Sequence, residues 1–171
     1  MNIAAYLSKG SNIQRVTNTF FNLPNGSIRS ASFTSNAAKA TTYGFEAELE
    51  ALITDELRLT ANLGHTHPKY DSFPDFNPNT GASIDRSGEP FSLIPKWTAG
   101  AALEYTKNFG FGDTSLRGDW SYTSDQYFSE STALQFSHEP SYSLLGARLS
   151  WKATDALNLA VFGRNLTDVS Y

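Results

Sequence analysis

The most regularly spaced charges in the chain are Glu46, Glu48 and Glu50, within YGFEAELEALITDELRLTANLGHTH from Tyr43 to His67. Three carboxylates at alternate positions suit either a solvated helix face or the polar face of a strand. Three histidines raise metal chemistry: His65 and His67 lie two apart, and His138 stands far downstream. No carboxylate sits at a clear ligand spacing from them, so they read as interfacial or loop-packing residues and no metal is expected. Ser, His and Asp for a hydrolytic triad are present, as in most chains, but no Gly-x-Ser-x-Gly occurs, so no catalytic residue and no enzyme activity are expected. The absence of cysteine removes thiol catalysis, disulfides and Cys-based zinc sites, and no cofactor is expected. Asn25-Gly26-Ser27 and Asn165-Leu166-Thr167 fit a glycosylation pattern but read as turn and strand-end chemistry.

The elements that carry these residues follow from periodicity. From Tyr43 to Ile53 every odd position is apolar, and the even positions are Gly44, Glu46, Glu48, Glu50 and Leu52. The second arm sets Leu57, Leu59, Ala61 and Leu63 against Arg58, Thr60, Asn62 and Gly64. Period two is the strand signature, whereas a helix would scatter the aromatics around its cylinder. A three-residue loop Thr54-Asp55-Glu56 opposes Ala51 to Leu59 and Glu48 to Asn62; a two-residue loop would set apolar against polar all along the ladder. The same turn chemistry returns at Thr154-Asp155-Ala156, pairing Trp151 with Leu159 and Leu149 with Val161.

Upstream, residues 1–21 form one long strand interrupted at Lys9-Gly10-Ser11, and Leu23 to Ser27 is a turn. Residues 27–36 read as a polar connector. A loop rich in Pro and Gly is expected from His67-Pro68 to Phe91, a composition that excludes helix and central strand. Strand pattern resumes at Ile94-Pro95-Lys96-Trp97, placing Trp97, Ala99, Ala101, Leu103 and Tyr105 on one face. After a Gly-rich turn at 108–113, Leu116, Gly118, Trp120 and Tyr122 oppose Arg117, Asp119, Ser121 and Thr123. A connector near 129–140 leads to a strand through Leu145 and Trp151.

The sum is an all-β chain of about seven antiparallel, up-and-down strands, with long connectors at one rim and short turns at the other. Mean hydropathy is −0.35 and no apolar run approaches a membrane helix, but a transmembrane β-barrel needs only alternating segments. A basic residue at the bilayer midplane costs about 2–4 kcal/mol and an acidic one less, so the aliphatic face meets outer-membrane lipid. Glu46, Glu48, Glu50, Arg58 and Asn62 then face the lumen. Tyr43, Trp97, Tyr122 and Trp151 are expected in membrane-interface girdles, with Tyr127, Phe128 and Tyr142 also near strand ends. In the long loop, Tyr70, Asp71, Phe73, Phe76 and Arg86 either contact a ligand or pack over the mouth, and both readings stand. A net charge of −4 argues against nucleic-acid binding.

Three motifs occur in order: Asn36-Ala37-x-Lys39-Ala40-x-x-Tyr43-Gly44-Phe45-Glu46-x-Glu48, Ile94-Pro95-x-Trp97, and Gly163-Arg164-Asn165-Leu166-Thr167-Asp168-x-x-Tyr171. In order and spacing they resemble the C-terminal β-barrel part of a TonB-dependent outer-membrane receptor. The resemblance implies a partial receptor barrel domain over residues 1–171, an open fragment of a 22-stranded barrel in a Gram-negative outer membrane. It implies as partners a plug domain and final strand not contained here, the TonB complex, and a small extracellular ligand. That ligand is expected to be a ferric siderophore or similar chelate, with cobalamin, haem or carbohydrate as further choices. The alternatives are a small independent outer-membrane barrel, structural or adhesive, and a soluble ligand-binding β-barrel.

Overall fold

A computed structural model describes residues 1–76, 82–128 and 138–171; for residues 15–21, 28, 30, 32, 33, 35–37 and 76 only the backbone is described. The described residues form eleven strands: β1 (Asn2–Asn22), β2 (Ile28–Leu52), β3 (Leu57–Ser72), β4 (Pro74–Phe76), β5 (Ser83–Asp85), β6 (Trp97–Asn108), β7 (Asp113–Thr123), β8 (Gln126–Tyr127), β9 (His138–Glu139), β10 (Tyr142–Lys152) and β11 (Asn158–Gly163). Seven make one antiparallel sheet in the order β1-β2-β3-β6-β7-β10-β11. β4–β5 and β8–β9 are two small hairpins in the long connectors. The sheet is open, with β1 and β11 at its edges.

The registers are those that alternation requires. Ala51 opposes Leu59, Glu48 opposes Asn62, Trp151 opposes Leu159 and Leu149 opposes Val161. Both Thr-Asp turns close identically. Thr54 Oγ1 accepts from the amides of Glu56 at 3.3 Å and Leu57 at 3.1 Å, and Thr154 Oγ1 from Ala156 at 3.2 Å and Leu157 at 3.1 Å. Each threonine hydroxyl thus satisfies the amide two residues on and shares the amide three residues on with the threonine's own carbonyl, at 3.3 Å for Leu57 and 3.4 Å for Leu157. The interruption in β1 is a bulge between Gly10 and Ile13, where Asn12 takes a φ of 56°.

Three expectations about connectors are corrected. Residues 28–36 are strand, not connector: β1 and β2 continue pairing from Gln14↔Asn36 to Asn22↔Ile28, and only 23–27 turn. Alternation fails there as a signal because a ribbon extended past the apolar band has no apolar face to bury. The strand also does not stop at His67-Pro68, since Pro68 pairs with Thr42 and β3 runs on to Ser72. The Thr66 amide points away from β2, to the Lys96 carbonyl at 3.0 Å, and Pro68, two residues on, points its missing donor the same way. β6 begins only at Trp97, so that side of β3 is open there and proline removes no ladder bond. Third, β6 starts at Trp97, leaving Ile94-Pro95-Lys96 in the connector. Of the expected connector 129–140, residues 129–137 lie outside the described residues.

Candidate functional site: the two faces and the mouth

Because successive side chains leave opposite faces of a pleat, the registers sort the chain into two surfaces. One carries Leu7, Tyr43, Leu49, Leu63, Leu103, Leu116, Leu145 and Val161. All are large, apolar and more than a third exposed, up to 76% for Val161. Among the described residues the only buried apolar side chains are Ala38, Ala40, Tyr70, Phe73 and Ala102. A water-soluble fold hides its aliphatic residues; this sheet displays them across seven strands.

The apolar surface has aromatic borders. On the side of the long connectors, His65 packs at a tilt on Trp97 with centroids 4.1 Å apart, Phe45 meets Trp97 edge-on at 5.9 Å, and Tyr43 lies 4.8 Å from His67. Near the short turns stand Tyr105, Phe109, Phe111 and Trp151; Trp151 Nε1 donates to the Phe111 carbonyl at 3.1 Å. From Trp97 to Tyr105 is eight steps of roughly 3.3 Å, about 27 Å along the strand and about 21 Å after a tilt of about 40°. That matches the roughly 25 Å apolar band of an outer-membrane barrel. Of the four expected girdle residues, Tyr43 and Trp97 stand in the first border, Trp151 in the second. Tyr122 stacks on Trp120 at 6.4 Å, one row inside the first. Tyr127 lies in β8 beside His138, Phe128 is exposed after it, and Tyr142 stacks on Tyr171 at 4.7 Å.

The opposite, concave face is polar. Glu46, Glu48, Glu50, Arg58 and Asn62 all lie on it, with Arg58 Nη1 3.2 Å from Glu50 Oε1. Arg117 reaches both Glu104 at 3.5 Å and Asp119 at 2.8 Å, and the Ser115 hydroxyl donates to Glu104 at 2.8 Å. The guanidiniums of Arg148 and Arg164 lie over the Phe162 ring at 5.8 and 5.9 Å from its centroid. Sequence reasoning did not single out Arg148 or Phe162, although both fall on the polar face by strict alternation from Trp151 and Val161. Tyr6 lies across Gly44 with its hydroxyl 2.7 Å from Thr66 Oγ1, and a Cβ on residue 44 would collide with that ring and with the His65 carbonyl. Glycine is what lets a tyrosine lie flat on this wall.

At the mouth the loop candidates are split. Tyr70 and Phe73 are buried at 1% and 0%, packed with Ala38, Ala40, Ile13 and Phe91, and Tyr70 stacks on Phe91 at 4.0 Å. Arg86 Nη1 lies 3.2 Å from Asp75 Oδ2 and its guanidinium covers Phe73 at 5.3 Å, fastening the β4–β5 hairpin. Asp71 points to the opposite surface, where it accepts from Thr41 Oγ1 at 2.6 Å. The side chain of Phe76 lies outside the described residues. The five candidates therefore form no single cluster: three build a small core, and Asp71 faces outward. Among the described residues no group of His, Asp and Glu suits a metal.

An open antiparallel sheet with an apolar, aromatic-bordered convex face and a charged concave face is a segment of an outer-membrane β-barrel. Residues 1–166 match the model of the family described as TonB dependent receptor-like, beta-barrel, and the chain belongs to that family. It is a barrel fragment of such a receptor, and its place is the Gram-negative outer membrane. Among solved structures it is similar to the ferric yersiniabactin uptake receptor FyuA from Yersinia pestis, at 16% identity and a TM-score of 0.66 over 98% of this chain. The chain spans 29% of the length of that receptor.

Proposed function

We infer that these residues form part of the wall and mouth of an active-transport receptor that imports a scarce ligand across the outer membrane, powered through TonB. The observation that carries the reading is the family match over a sheet whose apolar face points outward. A soluble ligand-binding barrel would turn that face inward, so the display of Leu7, Leu116 and Val161 speaks against it. A ferric siderophore or similar chelate is the ligand class we favour. Arg148 and Arg164 give the concave wall cations suited to an anionic chelate, and the similar solved receptor takes up ferric yersiniabactin. Partners in this reading are a plug domain, the remaining barrel strands and the TonB complex.

The test is uptake. Deleting the gene in its own bacterium should reduce accumulation of one labelled ferric chelate under iron limitation, and loss of TonB should reduce it equally. Unchanged accumulation of every ferric chelate tested, with a loss confined to cobalamin or carbohydrate uptake, would overturn the ligand class. No change in any uptake would overturn the transport reading.

A further inference from the structure

Above the first aromatic border, the apolar surface ends in lysine. Lys9 opposes Thr41 and Thr41 opposes Lys69 across β1, β2 and β3, one step beyond Leu7, Tyr43 and His67 on the same face. Two strand spacings put the Lys9 and Lys69 backbones about 10 Å apart. Lys39 projects from the same surface, because its neighbours Ala38 and Ala40 are both buried on the other. All three lysines are exposed, and none has an ion pair among the described residues. Asp71 is the acid among them, bound to Thr41, so the patch keeps a surplus of two positive charges.

We propose that Lys9, Lys39 and Lys69 form a docking site on the lipid-facing wall for the phosphate-bearing headgroup of an outer-leaflet lipid. Two independent features support it. The lysines are convergent in register, and their stems can lie along Leu7 and Tyr43 while the ammonium groups meet phosphate at headgroup height. The patch also continues without a gap into the apolar band, so one lipid would place its chains on Leu7 and its phosphate among the lysines. The site rests on the reading that the long-connector rim lies outside the cell, but not on any imported ligand.

The test uses the complete receptor in phosphatidylcholine nanodiscs, with lipid A added and its retention counted by native mass spectrometry. Removing one lysine as Gln should weaken retention about fivefold, and the triple variant K9Q/K39Q/K69Q about a hundredfold. Asp71→Asn should strengthen it. Lys152→Gln, at the opposite rim, should change nothing, and resistance of the folded band to detergent before heating shows that each variant folds. Retention by a folded triple variant, or equal weakening by Lys152→Gln, overturns the site. Displacement of lipid A by millimolar inorganic phosphate would show a soluble-anion site and overturn the lipid assignment.

Discussion

Leu49 and Glu48 are adjacent in the chain and, if the faces are assigned correctly, live in different solvents. Leu49 pairs with Ala61, which pairs with Ala101, four residues from Trp97 and four from Tyr105. That row is the middle of the apolar band, so Leu49→Arg sets a guanidinium near the bilayer midplane at about 2–4 kcal/mol. Glu48→Arg has the opposite sign. Glu46 and Glu50 stand about 6.8 Å to either side, and each repels Glu48 by about 0.6 kcal/mol at bulk dielectric. Arginine turns both repulsions into attractions, a gain of up to about 2 kcal/mol before salt screening. The two variants should therefore differ by at least about 2 kcal/mol, a factor of roughly 30 in the folding equilibrium. Urea titration of the complete receptor in lipid vesicles, read by heat-modifiable mobility, measures the difference. Equal stabilities, or a more stable Leu49→Arg, would refute the assignment of faces.

Four further outcomes are expected. Thr54→Ala and Thr154→Ala should each destabilise by about 0.5–2 kcal/mol in the same titration, with Ser restoring most of it, because each hydroxyl accepts from two turn amides. Arg86→Ala should speed hydrogen exchange across residues 74–76 and 82–86 by about tenfold to a hundredfold, since it strips a pair of side chains only 15% and 8% exposed; Asp75 keeps other contacts, which limits the effect. The amide and hydroxyl of Ser87 hold the Asp85 carboxyl below its ordinary value of 3.8, so the turn is intact at neutral pH and loosens only as pH falls through that lowered value; a labelled-aspartate titration midpoint at or above 3.8 would contradict this. A cysteine at Ser83 should react with a membrane-impermeant thiol reagent on intact cells and one at Asp155 should not, the reverse pattern refuting the outward placement of the long connectors.

What the sequence made legible was whatever the bilayer constrains. Between Tyr43 and Ile53, and again between Trp97 and Tyr105, one face must be apolar and the other must not, so alternation fixes strand, face and register together. Beyond the aromatic border that constraint lapses. Residues 28–36 pair without interruption with β1, yet their composition reads as connector. Pro68 misled for a related reason, because its cost depends on whether a neighbour strand is present, which the local sequence does not record. At the mouth, the string Tyr70 to Phe76 announced aromatic and acidic chemistry but not its direction. Tyr70 and Phe73 turn toward Ala38 and Ala40, small residues some 30 positions upstream whose role as the floor of a core appears only once β2 and β3 are paired.

The open edges carry the last step of the argument. β1 and β11 each leave one side of their backbone unpaired, and within a membrane span of about ten residues roughly half the polar groups of each strand point that way. At several kcal/mol per unsatisfied group, two bare edges would cost of order tens of kcal/mol in hydrocarbon, more than a domain's entire stability. The two edges cannot satisfy one another in the antiparallel pattern, because an odd number of up-and-down strands leaves the first and last running in the same direction. Antiparallel closure therefore demands an odd number of further strands between them, bringing the total to an even number, as in bacterial outer-membrane barrels. The concave polar face carries Glu46, Glu48, Glu50 and Arg58 toward β1, Arg148 and Arg164 toward β11, and Arg117 between Glu104 and Asp119 in the middle. A wall whose named charges are net negative toward β1 and net positive toward β11 presents two chemically different surfaces to whatever fills the lumen, so any partner that seats against both has to carry charge of both signs in matching places.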